Sequence, residues 1–243
     1  MAKSADLKSV SDSSEAPLQI SFCADDMVMI DFGSHPRANQ AVRVLWSKLM
    51  TERPDFLIEP VAGVSTLAVV IADTADWEHS KAKYLALLRR WATQSLDQQA
   101  PIGKEVALAV CYHPSMAPDL DRVAQCTGLD TSEVIRLHQE STYSAELIGF
   151  MPGFAYLSGL DKRLNVPRLP NPRSAVPPGA LGITGDQCAV YPSSTPGGWN
   201  LIGRCPELLF DPKREPSCLI ELGDRVRFIS ISKAEFERRC AKR

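Results

Sequence analysis

The chain has 243 residues, enough for one large domain or two small ones, and its 44% apolar and 23% charged residues are typical of a globular protein. Its formal net charge of −2, without any block of like charge, argues against nucleic acid or an anionic membrane surface as an electrostatic partner. Seven cysteines without a C-x-x-C pair argue against a structural zinc site, and with no signal-peptide or membrane-spanning pattern they predict a reduced, cytoplasmic protein.

The first third of the chain alternates strand-like and helix-like patterns. Residues 1–17 are polar and are predicted to form a disordered tail. Strand-like runs follow at 18–22 and 27–32, and apolar residues at 41, 42, 45, 46 and 49 predict a helix with one buried face. β-rich runs on either side of Ala62-Gly63 predict a hairpin, and Asp73 or Thr74 can cap a second helix. With the strand at 105–111 as its last strand, this is the order of a split β-α-β unit, so a ferredoxin-like α/β domain is predicted over 18–100.

A polar segment at 94–103, with Pro101 and Gly103, marks the predicted domain boundary. Two short helices are predicted beyond it, the second capped by Asp130 with Glu133 three residues later. Strand-like runs with Pro/Gly turns between them then dominate, at Tyr143–Phe150, Ala180–Thr184, Cys188–Tyr191, Trp199–Arg204 and Arg225–Ile231. Many short strands of this kind predict a β-barrel or sandwich over 101–235, and so an α+β protein.

The segment 149–206 is the predicted site of function. It holds half of the 18 prolines and nine of the 14 glycines, together with many aromatic residues, which a solvated linker would lack. Short strands joined by rigid loops are therefore expected, and such loops place binding groups accurately. The sequence contains no P-loop, no G-x-S-x-G nucleophile elbow and no H-E-x-x-H zinc motif.

Three charged or titratable residues are candidates for chemistry. His138 ends a predicted helix, and it is either a general acid or base or a histidine that interacts with the last helical carbonyls. Arg168 and Arg173 lie in the stiff segment V-P-R-L-P-N-P-R, where their guanidinium groups either hold a carboxylate or phosphate or form surface ion pairs.

Neutral groups of the same stretch complete the candidate set. Gln187 and Tyr191 are hydrogen-bonding candidates suited to an amide or lactam. Trp199 is either a core residue or a ligand platform. The turn predicted at 193–199 offers hydroxyls and backbone N–H groups that could form an anion-binding nest.

The strings GFMPGFAYLSGL, VPRLPNPRSAVPPGALGI, YPSSTPGGWNLIGRCP and LLFDP occur in this order within 149–212. Together with DDMVMIDFG, CYHPSMAPDLDRVA and EVIRLHQESTYSAELIGF, they resemble the family of the B-type subunit of 5-oxoprolinase. This family also includes KipI-like inhibitors of a sporulation histidine kinase and the subunit-1 region of urea carboxylase/allophanate hydrolase systems. The resemblance covers about 18–235. It departs at 113–117, where the family usually has glycines and an acidic residue, and at Ala24, where it usually has glycine.

The resemblance implies a small α/β domain followed by a cyclophilin-like β-barrel. It implies that the chain is a subunit of an ATP-dependent lactam hydrolase, which opens 5-oxo-L-proline to L-glutamate. The C-type and A-type 5-oxoprolinase subunits would be its partners, and the chain would be inactive alone. ATP would be shared with those partners, and no metal is implied. In this scheme Arg168 or Arg173 holds the substrate carboxylate, Gln187 and Tyr191 lie near the lactam, and His138 moves protons.

Two alternatives remain open at this point. A KipI-like inhibitor would dock on a sensor histidine kinase through an exposed apolar patch and would need no active-site residues. A component of a urea carboxylase/allophanate hydrolase system would need biotin supplied by another chain, because this sequence lacks an A-M-K-M-like attachment site.

Overall fold

The computed structural model describes residues 18–72 and 77–241, with only the backbone of 77–79. The predicted tail at 1–17 and the predicted helix caps Asp73 and Thr74 lie outside these residues. The chain divides into two compact units, the first ending at Gln99 and the second beginning at Ala100. None of the helices in the described part of the chain combines the length and apolarity needed to span a lipid bilayer.

The first unit is a four-stranded antiparallel sheet with two helices. Its elements are β1 (Gln19–Ala24), β2 (Met27–Asp31), α1 (Ala38–Glu52), β3 (Leu57–Ala62), β4 (Thr66–Ile71) and α2 (Trp77–Ser95), and its strand order is β1-β2-β4-β3. The predicted hairpin at Ala62-Gly63 is confirmed by the β3–β4 pairing. The predicted buried stripe is confirmed at four of its five positions, because Ala41, Val42, Leu45 and Leu49 of α1 are fully buried, while Trp46 is partly buried against the same core.

The prediction that the strand at 105–111 completes this sheet is wrong. That strand, β5 (Glu105–Val110), belongs to the sheet of the second unit, where it pairs in parallel with a strand near the end of the chain. The outer place beside β2 is filled by β1, which needs only the short Asp25-Asp26 turn to reach its partner. The crossover β2-α1-β3 is present, with β4 between its two strands. The strand that would follow α2 in a ferredoxin-like order is not found in this sheet among the described residues.

The second unit is a mixed sheet that nearly closes into a barrel. After β5 come α3 (Leu120–Thr127), α4 (Thr131–Glu140), β6 (Tyr143–Ile148), β7 (Ala155–Ser158), β8 (Arg173–Val176), β9 (Ala180–Thr184), β10 (Gln187–Val190), β11 (Thr195–Gly197), β12 (Asn200–Arg204), β13 (Arg225–Ser230) and α5 (Lys233–Cys240). Seven strands follow the order β12-β9-β10-β7-β6-β13-β5, and β8 and β11 form a separate two-stranded ribbon. The predicted cap of α4 is confirmed, since Asp130 accepts a hydrogen bond from the Glu133 N–H at 2.8 Å.

The two edge strands of this sheet, β12 and β5, meet just beyond the end of β5. The Cys111 N–H donates to the Arg204 carbonyl at 2.9 Å, and the Arg204 N–H donates back to the Cys111 carbonyl at 3.0 Å. This bridge closes the barrel at one position. The interior holds apolar residues of α3, α4 and the strands, such as Leu108, Leu157 and Ile202.

Alternate positions of the strands separate two apolar layers. Cys188 and Val190 of β10 point into the barrel interior, whereas Ala189 and the following Tyr191 belong to a second cluster on its outer face. Val176 of the β8–β11 ribbon packs into this second cluster. We call it the outer layer; its buried members are Phe154, Val176, Ala180, Ala189, Tyr191, Trp199 and Leu201.

One loop beside the outer layer requires glycine. Gly179 has φ +79°, and a Cβ placed there would lie 2.3 Å from the Cys205 carbonyl oxygen. The same backbone donates to the Tyr191 carbonyl and accepts from the Cys205 N–H, each at 2.7 Å. Glycine therefore lets three chain segments meet at a distance that a side chain would forbid.

Candidate functional site

The outer layer is built around aromatic side chains that contact one another edge to face. The Phe154 ring lies 4.8 Å from the Tyr156 ring, 5.4 Å from Tyr191 and 6.1 Å from Trp199, measured between centroids and each in an edge-on arrangement. Edge-to-face aromatic pairs prefer set orientations, and they stabilise a core by more than the burial of their apolar area alone. Trp199 is buried, so most of its ring is core, as one of its two predicted roles requires.

Phe150 extends this aromatic cluster to the surface. It is 62% exposed, its ring centroid lies 5.3 Å from that of Phe154, and its backbone has φ 73°. A bulky residue in the left-handed region is strained, and such outliers concentrate at functional sites. The turn that imposes this conformation is closed by a hydrogen bond from the Gly149 N–H to the Phe154 carbonyl at 3.2 Å.

Both candidate arginines lie beside the outer layer. Arg173 begins β8 and donates from Nη2 to Asp119 Oδ1 at 2.6 Å, while its Nη1 is buried without a hydrogen-bond partner among the described residues. Arg168 is exposed on the segment before β8, which is fastened where the Leu169 N–H donates to the Gly198 carbonyl at 2.7 Å. Burial raises the pKa of Tyr191, and the charges of Arg168 and Arg173 oppose that rise, so both guanidinium groups act electrostatically on this hydroxyl.

Gln187 shares the outer face but lies at its other end. It begins β10, in register with Ser158 of β7, and the Ser158 hydroxyl donates to Glu146 Oε1 at 2.5 Å. Four residues of extended chain separate Gln187 from Tyr191, which is about 13 Å at about 3.3 Å per residue. Contact of both side chains with one small lactam would require them to lean towards each other across this distance, and it stays a prediction.

His138 lies inside the barrel, on the opposite side of the sheet from the outer layer. It is fully buried on α4; its Nδ1 is hydrogen-bonded to the Tyr112 hydroxyl at 2.8 Å and its Nε2 lies 3.5 Å from Cys188 Sγ. Its ring centroid is 4.6 Å from that of Phe228, and its carbonyl accepts from the Tyr143 hydroxyl at 3.0 Å. Both ring nitrogens are thus occupied by interior neighbours.

Burial sets the protonation of this interior group. It lowers the pKa of His138 to about 3 and raises the pKa values of Tyr112 and Cys188 well above their usual range. All three side chains are therefore neutral near pH 7. A neutral histidine without an exposed nitrogen can reach a substrate only through its neighbours.

Part of the segment 193–199, predicted as an anion nest, is a strand. Thr195–Gly197 form β11, with Thr195 opposite Val176 and Gly197 opposite Arg173. Antiparallel pairing aligns these backbone groups with β8, so they do not converge as the N–H groups of a nest do. The described residues also contain no group of three or more His, Cys, Asp or Glu side chains placed to hold a metal ion.

The sequence analysis missed Asp119, which precedes α3. Its position before a helix suggests a cap, yet its side chain makes no capping hydrogen bond. It is instead 6% exposed and bonded to Arg173 and to the Leu201 N–H. The string CYHPSMAPDLDRVA contains this residue, and the resemblance of that string to the family was the signal that could have pointed to it.

The sequence is similar to those of known proteins over most of its length. Residues 18–220 match the family model described as carboxyltransferase domain, subdomain C and D. The chain is 44% identical over 131 residues to the B-type subunit of 5-oxoprolinase from Bacillus subtilis, covering 54% of this chain and 55%, about half, of that relative. It is 34% identical over 197 residues to the B-type subunit of 5-oxoprolinase from Haemophilus influenzae, covering 80% and 89%.

Solved structures share the fold. The crystal structure of TTHA0988 superposes with a TM-score of 0.73 at 32% identity, over 85% of this chain but only 40% of that one. The Kluyveromyces lactis urea carboxylase superposes with a TM-score of 0.68 over 91% of this chain and 22% of that one. At 17% identity, the second likeness concerns the fold alone.

Proposed function

Because the chain belongs to the family of the B-type subunit of 5-oxoprolinase, we propose that it is part of a complex that opens 5-oxo-L-proline to L-glutamate at the expense of ATP. Its partners in this proposal are the C-type and A-type 5-oxoprolinase subunits, and the chain is inactive alone. The labels cyclophilin-like for the barrel and ferredoxin-like for the first unit remain predictions.

The observation that supports this proposal is the placement of two arginines beside a buried tyrosine and an aromatic layer. 5-Oxo-L-proline is a five-membered lactam with one carboxylate. The guanidinium groups of Arg168 and Arg173 suit the carboxylate, and both act electrostatically on the Tyr191 hydroxyl beside them. This chain would bind and orient the substrate, which lowers the barrier by fixing the geometry of attack.

Three residues of the predicted nest, Thr195–Gly197, are paired as β11, and the sequence has no P-loop to hold a triphosphate. In this proposal ATP is therefore shared with the partner proteins, and no step of this chain is derived through it.

The proton-shuttle role of His138 stays a prediction. The ring nitrogens of His138 face the Tyr112 hydroxyl and Cys188 inside the barrel, whereas the two arginines lie beside the outer layer, so any proton movement to the substrate would need a path across the sheet. Substituting His138→Ala in an assembled complex should lower turnover at least about tenfold if the shuttle operates. Unchanged turnover would leave His138 with a packing role only.

The test is glutamate release from 5-oxo-L-proline and ATP by the co-expressed complex, with and without this chain. Release should depend on the chain. Substituting Arg168→Gln should raise KM about tenfold or more with a smaller change in kcat, because a carboxylate contact stabilises substrate and transition state alike. Arg163→Gln, an exposed arginine of the same unit, is the matched control.

Two outcomes would contradict the proposal. Release at the same rate without the chain would remove it from the reaction. No release by a fully assembled complex would favour another small amide as substrate or the kinase-inhibitor class.

A further inference from the structure

We propose that Asp119 is a positioning residue that holds Arg173 by one edge of its guanidinium group and leaves the other edge to bind the carboxylate of a small cyclic substrate. This inference rests on the proposed function, since it names how the same site recognises its ligand. The inference goes beyond the proposed function because it gives a role to Asp119, which precedes α3 and was not among the predicted site residues.

Asp119 is fixed rigidly to β12. Its own N–H donates to the Leu201 carbonyl at 3.0 Å, and its Oδ2 accepts from the Leu201 N–H at 2.7 Å. The side chain is only 8% exposed. Because these two hydrogen bonds fix the orientation of the Asp119 carboxylate, the carboxylate in turn fixes the orientation of the guanidinium group that binds it.

Arg173 is held from two sides. Its backbone is paired with Gly197 in the β8–β11 ribbon, and its Nη2 donates to Asp119 Oδ1 at 2.6 Å. Asp119 Oδ1 accepts from Arg173, and Oδ2 accepts from the Leu201 N–H. Asp119 therefore occupies only one edge of the Arg173 guanidinium group. The guanidinium group presents its donors in a planar fork that suits a second carboxylate beside the first.

The remaining edge lacks an acceptor within the described protein. Nη1 of Arg173 is buried and makes no hydrogen bond there, although the whole side chain is 29% exposed. A buried donor without an acceptor is costly, and an anionic oxygen that reaches it past the exposed part of the Arg173 side chain would satisfy it.

The charges favour an anion at this place. Asp119 neutralises Arg173, and Arg168 contributes a further positive charge that also acts on the Tyr191 hydroxyl. These three groups sum to a single positive charge, which matches a monoanion such as 5-oxo-L-proline. 2-Pyrrolidinone, the same ring without the carboxylate, should not be held by this charge.

The experiment is calorimetric titration of the full chain with 5-oxo-L-proline, with acetate and with 2-pyrrolidinone. Asp119→Asn should weaken binding of both carboxylates about 10- to 100-fold, the range expected for losing hydrogen bonds to a charged group. Asp161→Asn removes the carboxylate of the exposed Asp161–Arg163 pair in the same unit and is the matched control, with binding unchanged. Should Asp119→Asn fail to fold, Arg173→Lys keeps the charge but lacks the second edge, and it should show the same loss.

Chemical rescue separates positioning from general stability. Arg173→Ala should lose carboxylate binding, and millimolar guanidinium ion should restore it, because Asp119 can hold the free ion where the side chain was. Adding Asp119→Asn to Arg173→Ala should abolish the rescue. A residue that matters only for folding would not show this dependence.

Several outcomes would overturn the inference. These are wild-type affinity in a folded Asp119→Asn or Arg173→Lys variant, rescue that persists without Asp119, and no binding of either carboxylate by the wild-type chain. Acetate binding that depends on Arg173, with no binding of 5-oxo-L-proline, would keep the anion site and refute the proposed function. Binding of 5-oxo-L-proline that ignores both residues would do the reverse.

Discussion

The buried histidine predicts how the stability of the second unit changes with pH. His138 is fully buried and has a pKa of about 3, against an ordinary value of 6.5. Between these two values the unfolded chain binds a proton at this residue and the folded chain does not. Acid therefore favours unfolding, and stability falls as pH is lowered from 6.5 towards 3.

The size of this effect follows from the two pKa values. Well inside that window each pH unit costs about 1.4 kcal/mol, and the cost is smaller near pH 6.5, where the unfolded histidine is half protonated. The step from pH 6.5 to pH 4.5 should therefore cost about 2 kcal/mol through this residue alone. That is a large share of the ordinary stability of a domain, about 5–15 kcal/mol. Carboxylates that lose their partners in acid add to the slope, but they do so equally in a histidine variant.

The assay is urea unfolding followed by fluorine NMR of 5-fluorotryptophan at Trp199, the single tryptophan of the second unit. His138→Gln should destabilise the unit near pH 7 but show a free energy of unfolding that falls less steeply in acid, by about 2 kcal/mol between pH 6.5 and 4.5. His113→Gln removes an exposed histidine from the same unit and is the matched control. Equal slopes for wild type and His138→Gln would refute the reasoning.

Three further substitutions test other parts of the second unit. Tyr112→Phe should cost about 1–3 kcal/mol, because His138 Nδ1 would lose its partner in the interior; denaturation that matches wild type would contradict that bond. Phe150→Gly should leave the free energy of unfolding unchanged or raise it by about 1 kcal/mol, since glycine adopts φ 73° without strain, and a clear loss would mean that the exposed ring contributes packing. Gly179→Ala should cost about 2 kcal/mol or more through its clash with the Cys205 carbonyl, measured by the same urea titration; a neutral result would show that this loop can move.

Features that depend on near neighbours in the chain were predicted well. The α4 cap joins Asp130 to Glu133, the hairpin at Ala62-Gly63 joins adjacent runs, and the buried stripe of α1 repeats every turn. Each of these is decided by residues a few positions apart, so propensity and periodicity contain the needed information.

Features that depend on distant partners were not predictable in the same way. The β5 pattern fits a strand in either unit, and only its pairing with β13 decides between them. Similarly, Arg173 was predicted as a candidate, but its partner Asp119 lies 54 residues earlier in the chain. The sequence contains no local sign of which acid an arginine will meet.

The same limit applies to the candidate site. Alternation along β10 separates Tyr191 from the interior Cys188, so Tyr191 could be assigned to a face once the barrel was known. His138 ends a helix in sequence, yet the packing of α4 against the interior turns it away from that face. Which side of a sheet a helix covers is a property of the whole fold rather than of its own residues.

The parallel pairing of β5 with β13 has a consequence for synthesis. β5 is the first strand of the second unit to leave the ribosome, and its strand partner in the described sheet, with Glu105 opposite Arg225, is the last. Until β13 emerges, β5 lacks this neighbour. The barrel therefore completes its sheet only once β13 has been translated, and a chain stopped before Arg225 would present β5 and β6 as unpaired edges to other nascent chains.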